Sequence, residues 1–111
     1  MKMTPVIVLG LLLIVGWSLL SSSSTSLQAR DISPDHDVVM FAAEWCGYCD
    51  QARAYLVRNQ VNFLEIDIDS STDANRQWRE AGGRGVPLTF IGEQRMAGFS
   101  AQAYGQALEQ L

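Results

Sequence analysis

Cys46 and Cys49 are the only two cysteines in the 111-residue chain, and two residues separate them. A sulfur pair at this spacing serves two chemistries. In dithiol–disulfide exchange, one thiolate attacks a disulfide and the second thiol resolves the mixed product. In a zinc site, the pair supplies half of a tetrahedral shell. Zinc needs two further ligands, and His36 is the sole histidine, so carboxylates would have to complete the set. A structural staple is a poor third use, because so short a loop removes little entropy from the unfolded chain. Position favours exchange. Asp37–Ala42 (DVVMFA) reads as a buried strand, and helix-forming residues run from Cys46 to about Asn59. Cys46 then opens a helix, where unpaired N–H groups and the helix dipole favour a thiolate. Cys46 is the expected nucleophile, and Cys49, one turn further on, the resolving thiol.

Other residues belong near this pair. Gly85-Val86-Pro87 starts a strand, and a cis Pro87 would turn the Val86 backbone towards the cysteine loop. The Val86 N–H and C=O would then pair with an extended peptide or thiol substrate. Gly98-Phe99 suits either a turn or the close approach of a ligand to the backbone. Trp45 beside Cys46 is either part of a substrate-facing surface or a plain apolar lid.

The remaining elements have to hold these positions. Val61–Asp67 carries apolar residues on both faces, as in a strand covered on two sides. Ser70 with Asp73 reads as the capped start of a helix that runs to Glu80 and ends at Gly82-Gly83. Pro87–Ile91 and Gln94–Ala97 form a hairpin about Gly92-Glu93. Ser100 caps a last helix with Tyr104, Leu108 and Leu111 on one face. The order β-α-β-α-β-β-α predicts an α/β layer fold of minimal size, with helices packed on a four-stranded sheet.

Hydrophobic residues make up 48% of the chain, a figure inflated by the uncharged run Val6–Leu20 (VIVLGLLLIVGWSLL). Residues 1–20 are read as a signal anchor or a signal peptide, with contact to a membrane through residues 4–20. Both readings put the rest of the chain on the extracytoplasmic side, because Lys2, the only lysine, marks the inner end. Residues 21–36, opening with the tract Ser21–Ser26, read as a flexible serine-rich linker. Residues 37–111 form the domain. Past Arg30 there are six arginines against twelve acidic residues, a net charge of −6, which argues against nucleic-acid binding.

Two known families resemble these residues. Phe41-Ala42-Ala43-Glu44-Trp45-Cys46-Gly47 resembles the thioredoxin active-site approach, F-x-A-x-W-C-G-P-C. The rest is similar to glutaredoxin. Tyr48 stands before the second cysteine, Arg84-Gly85-Val86-Pro87 stands where glutaredoxins often read R-T-V-P, and Leu88–Gly92 and Ala97-Gly98 follow. The resemblance covers residues 37–111. It implies a minimal thioredoxin-like fold, a four-stranded mixed sheet with helices on both faces, and the apolar run Val6–Leu20 adds an N-terminal hydrophobic helix before it. It implies reversible exchange through Cys46 and Cys49, a cis Pro87, and a substrate surface of Trp45, Tyr48, Arg84, Val86, Pro87, Gly98 and Phe99. The implied partners are protein or low-molecular-weight disulfides and thiols. No cofactor is expected to bind tightly, glutathione is the implied co-substrate, and a monomer is expected. Glutaredoxins also hold glutathione with a basic residue three positions before the first cysteine and an acidic residue after the glycine pair. Those positions are Ala43 and Phe99-Ser100-Ala101 in this chain, so only Arg84, Val86, Pro87 and Gly98 carry over. Two alternatives remain: an iron–sulfur or metal-binding module, and a redox-inert interaction domain.

Overall fold

The computed structural model describes residues 26–111. The apolar run and the hydrophobic helix expected there lie outside the described residues. Among the described residues no helix is long and apolar enough to cross a membrane.

The element order is α1 (Ala29–Ile32), β1 (Val38–Ala42), α2 (Gly47–Arg58), β2 (Leu64–Asp67), α3 (Thr72–Glu80), β3 (Leu88–Ile91), β4 (Gln94–Ala97) and α4 (Ala101–Glu109). The strands form one mixed sheet in the order β2-β1-β3-β4. β1 runs parallel to β2 and antiparallel to β3, and β3 pairs with β4 in the expected hairpin. All five residues of β1 are buried, which explains its continuous apolar run: both faces of this central strand are covered. Val38 shares a hollow with Tyr55 of α2 and Leu108 of α4. Phe41 shares another with Ile32 of α1 and Gln77 of α3. Side chains alternate along a strand, so α2 and α4 cover one face and α1 and α3 the other. Burying side chains such as Phe41, Leu56 and Phe90 completely stabilises the fold by roughly 1.5–3 kcal/mol each.

Four expectations need correction. The linker assigned to residues 21–36 does not persist over its second half. Residues 29–32 form a helical turn, Ala29 is fully buried, and its N–H donates to Gly92 O at 2.9 Å. The Asp31 carboxylate caps this turn by accepting from Gln28 N–H at 3.0 Å. The second strand begins at Leu64 rather than Val61. β2 enters its register at Val39↔Leu64, one residue from the start of β1, and Val61 N–H is bonded instead to Leu56 O. The cap of α3 is Ser71, whose Oγ accepts from Ala74 N–H at 3.0 Å, because the Ser70 hydroxyl already donates to Asp67 O. In α4 the buried face is Tyr104 and Ala107 with half-buried Leu108. Leu111 lies past the helix end and is 58% exposed.

Candidate active site

β1 ends at Ala42, and residues 43–45 turn the chain into α2, with Cys46 N–H donating to Ala43 O. Cys46 is the N-cap of α2. Its backbone is extended, and its Sγ accepts from Cys49 N–H at 3.1 Å, a place more often filled by a serine or aspartate oxygen. The two cysteines form a disulfide with Cα atoms 5.2 Å apart. Cys46 retains 6% exposure and Cys49 none, so an incoming group meets the Cys46 sulfur first.

The Val86–Pro87 peptide is cis, as expected. The Cys46 Sγ lies 3.5 Å from Val86 O. In the disulfide this is a packing contact; the reduced thiol carries a proton that it can donate there. Pro87 O accepts from Gly98 N–H at 2.9 Å, and Gly98 holds φ at 83°, a left-handed conformation that favours glycine. Arg84, Gly85, Val86, Pro87 and Gly98, together with Arg95, line an open groove of about 550 Å³ that meets Cys46 through Val86.

Four of the sequence-predicted substrate residues, Arg84, Val86, Pro87 and Gly98, are therefore brought together. Trp45 and Tyr48 flank Cys46 in solvent, 71% and 64% exposed. The Trp45 indole is not loose, since its N–H donates to Asp69 Oδ2 at 2.8 Å. Phe99 does not line the groove. It is half-buried, tilted by 57° against Tyr55 and edge-on to Tyr104, with ring centroids 5.8 and 5.0 Å away. His36 bonds the Ser33 hydroxyl at 2.8 Å. Among the described residues no group of three or more His, Cys, Asp and Glu gathers as metal ligands do.

Sequence reasoning missed Asp69, Arg95 and Trp78. Arg95 donates to Ala81 O and Gly82 O, closing the C-terminal end of α3. Trp78 precedes a glycine pair at a helix end, and that arrangement was the available signal for a ring packed under the turn.

Comparison with known proteins agrees with this geometry. The family profile for glutaredoxin matches residues 38–96. A glutaredoxin of Pseudomonas aeruginosa is 37% identical over 62 residues, 55% of this chain and 74% of that protein. Glutaredoxin 3 of Escherichia coli is 33% identical over 63 residues, 56% of this chain and 76% of that protein. Among solved structures, the glutaredoxin of Archaeoglobus fulgidus superposes with a TM-score of 0.62 at 18% identity, over 76% of this chain and 98% of that one. A buckwheat glutaredoxin solved as a complex with glutathione superposes with a TM-score of 0.60 at 22% identity, over 75% and 83% of the two chains. These two superpositions speak to the fold alone.

Proposed function

The chain belongs to the glutaredoxin family of thiol–disulfide oxidoreductases, and from that premise we propose that Cys46 is its nucleophile and Cys49 its resolving thiol. The observation that carries this reading is the asymmetry of the pair. Cys46 caps α2, accepts a backbone N–H and keeps some exposure, whereas Cys49 is sealed. A helix N-terminus favours the thiolate at Cys46, the form that attacks disulfides. The Cys46 thiolate attacks one sulfur of a substrate disulfide, and the other substrate sulfur leaves as a thiolate and takes a proton. Cys49, deprotonated, then attacks Cys46 Sγ and expels the second substrate thiolate. Two electrons pass to the substrate, and the pair is left as the disulfide. Two external thiols return it to the dithiol, with glutathione as the proposed donor.

Glutathione fits the groove by chemistry. The Val86 backbone offers an extended edge, and Arg84 offers a cation for a carboxylate. Ala43 and the serine that caps α4 leave two family charge contacts unmade, so the groove holds glutathione with fewer ion pairs. Exposed Trp45 and Tyr48 add apolar area beside Cys46 for polypeptide substrates. The proposed setting is extracytoplasmic, with residues 4–20 as anchor or signal.

Alkylation of the reduced protein with iodoacetamide at neutral pH tests the assignment. Cys46 should label much faster than Cys49. Cys46→Ser should reduce exchange to the uncatalysed level, and Cys49→Ser should accumulate a mixed disulfide with substrate. Equal, slow labelling of both cysteines would sink the assignment.

A further inference from the structure

Residues 83–85 connect α3 to the Val86 carbonyl that faces Cys46. Among the described residues, the hydrogen bonds to this loop come from a single residue. Trp78 O accepts from Gly83 N–H at 2.8 Å, and the Trp78 indole N–H donates to Gly85 O at 3.1 Å. The first bond belongs to a helix-ending turn. Gly82 sits at φ 85° with its N–H on Arg79 O, and Gly83 N–H reaches back to Trp78 O. Such turns usually press two apolar side chains together, one from the helix and one just past its end. Here the second partner is Gly83. A Cβ on it would lie 2.2 Å from the Trp78 indole nitrogen, so the half-buried ring occupies the space a side chain would fill. Gly85 has nothing within 4 Å of a Cβ position, so packing does not hold the loop from that side. Arg95 ties Gly82 but no residue beyond it.

We propose that Trp78 is a positioning residue for the substrate edge: its indole clamps residues 83–85 and thereby sets the Val86 backbone against Cys46. This rests on the reading of Cys46 as nucleophile and Val86 as the strand against which substrate pairs. Trp78 touches neither sulfur, so its loss should weaken docking of an extended substrate and leave the reactivity of the thiol alone.

The experiment uses the full chain with a short peptide whose cysteine carries a mixed disulfide with glutathione. KM and kcat are measured for wild type, Trp78→Phe and Gly83→Ala. Phenylalanine keeps most of the ring and removes the N–H; alanine at 83 keeps the indole and displaces it. The expected result is a KM raised roughly three- to tenfold in both variants, the worth of one neutral hydrogen bond. The kcat should change less, and alkylation of reduced Cys46 by iodoacetamide should match wild type. Should one variant fail to fold by circular dichroism, the other decides. A KM equal to that of an active wild type overturns the role of Trp78 alone. A joint fall of kcat and alkylation rate also overturns it, by showing general disturbance. A wild type that does not turn over the peptide overturns the exchange reading and this one with it.

Discussion

Thr89 is a fully buried polar residue, and its hydroxyl lies 2.7 Å from the phenol of Tyr104. The Tyr104 ring stands edge-on to both Tyr55 and Phe99, and its oxygen is 3.5 Å from Gly98 O at the groove. One core residue thus joins α4, β3 and the backbone that lines the groove. Tyr104→Phe removes a hydrogen bond and strands the Thr89 hydroxyl, so stability should fall by about 1–3 kcal/mol. Burial pushes the Tyr104 phenol above its ordinary value of 10.0, while the Thr89 bond pulls the other way. The unfolded chain therefore releases this proton at lower pH than the folded one. The stabilisation is full below about pH 10 and is lost as pH rises through the folded value. Urea unfolding across pH 7–11 checks both parts. The gap between wild type and Tyr104→Phe should be constant to about pH 10 and then narrow; a gap that widens there refutes the assignment.

At the scale of elements, the helix starts show what a sequence can and cannot carry. Ser70 and Ser71 are adjacent and chemically identical, and each can cap α3. The choice falls to Ser71 because the turn after β2 has already engaged the Ser70 hydroxyl on Asp67 O. Ser71→Ala should therefore cost about 1 kcal/mol of unfolding free energy, and Ser70→Ala less. Urea midpoints at equal slope measure the difference, and the reverse order would return the cap to Ser70. The same logic sorts the rest of the fold. β1, α2 and the β3–β4 hairpin were legible because their apolar periods and turn residues are local. The Cys46 cap was legible because a strand hands directly to a helix at the cysteine pair. α1 was not, since four residues in a polar stretch become ordered only when Ala29 meets the sheet. In the site, Arg84, Val86, Pro87 and Gly98 could be read from motif spacing. Asp69 could not, because its partner Trp45 is found only after folding, and for Trp78 the glycine pair signals a packed ring but not the bond to Gly85 O. The packing of Phe99 is hidden from the sequence for the same reason: its aromatic neighbours, Tyr55 and Tyr104, come from α2 and α4.

For the whole molecule, the docking of α1 changes what the N-terminal run implies. If residues 4–20 are a membrane anchor, the stretch from Leu20 to the folded domain is the eight residues Ser21–Gln28, not the sixteen residues of 21–36. Eight residues span at most roughly 28 Å when fully extended. The domain would then be held close to the surface, rooted where Ala29 binds Gly92 at the β3–β4 turn. That turn lies at the end of the sheet where β1 begins, and Cys46 follows the end where β1 finishes. The anchored domain would thus keep its redox pair at the end of β1 remote from its root. Its acidic balance, six arginines against twelve carboxylates past Arg30, also disfavours lying flat on an anionic membrane. The anchored reading predicts that the full chain stays with membranes through an alkaline carbonate wash. It also predicts that, after mild reduction of intact cells, a membrane-impermeant maleimide labels Cys46 without lysis. Release by the wash with labelling intact would mark a cleaved signal, and labelling only after lysis would refute the extracytoplasmic placement.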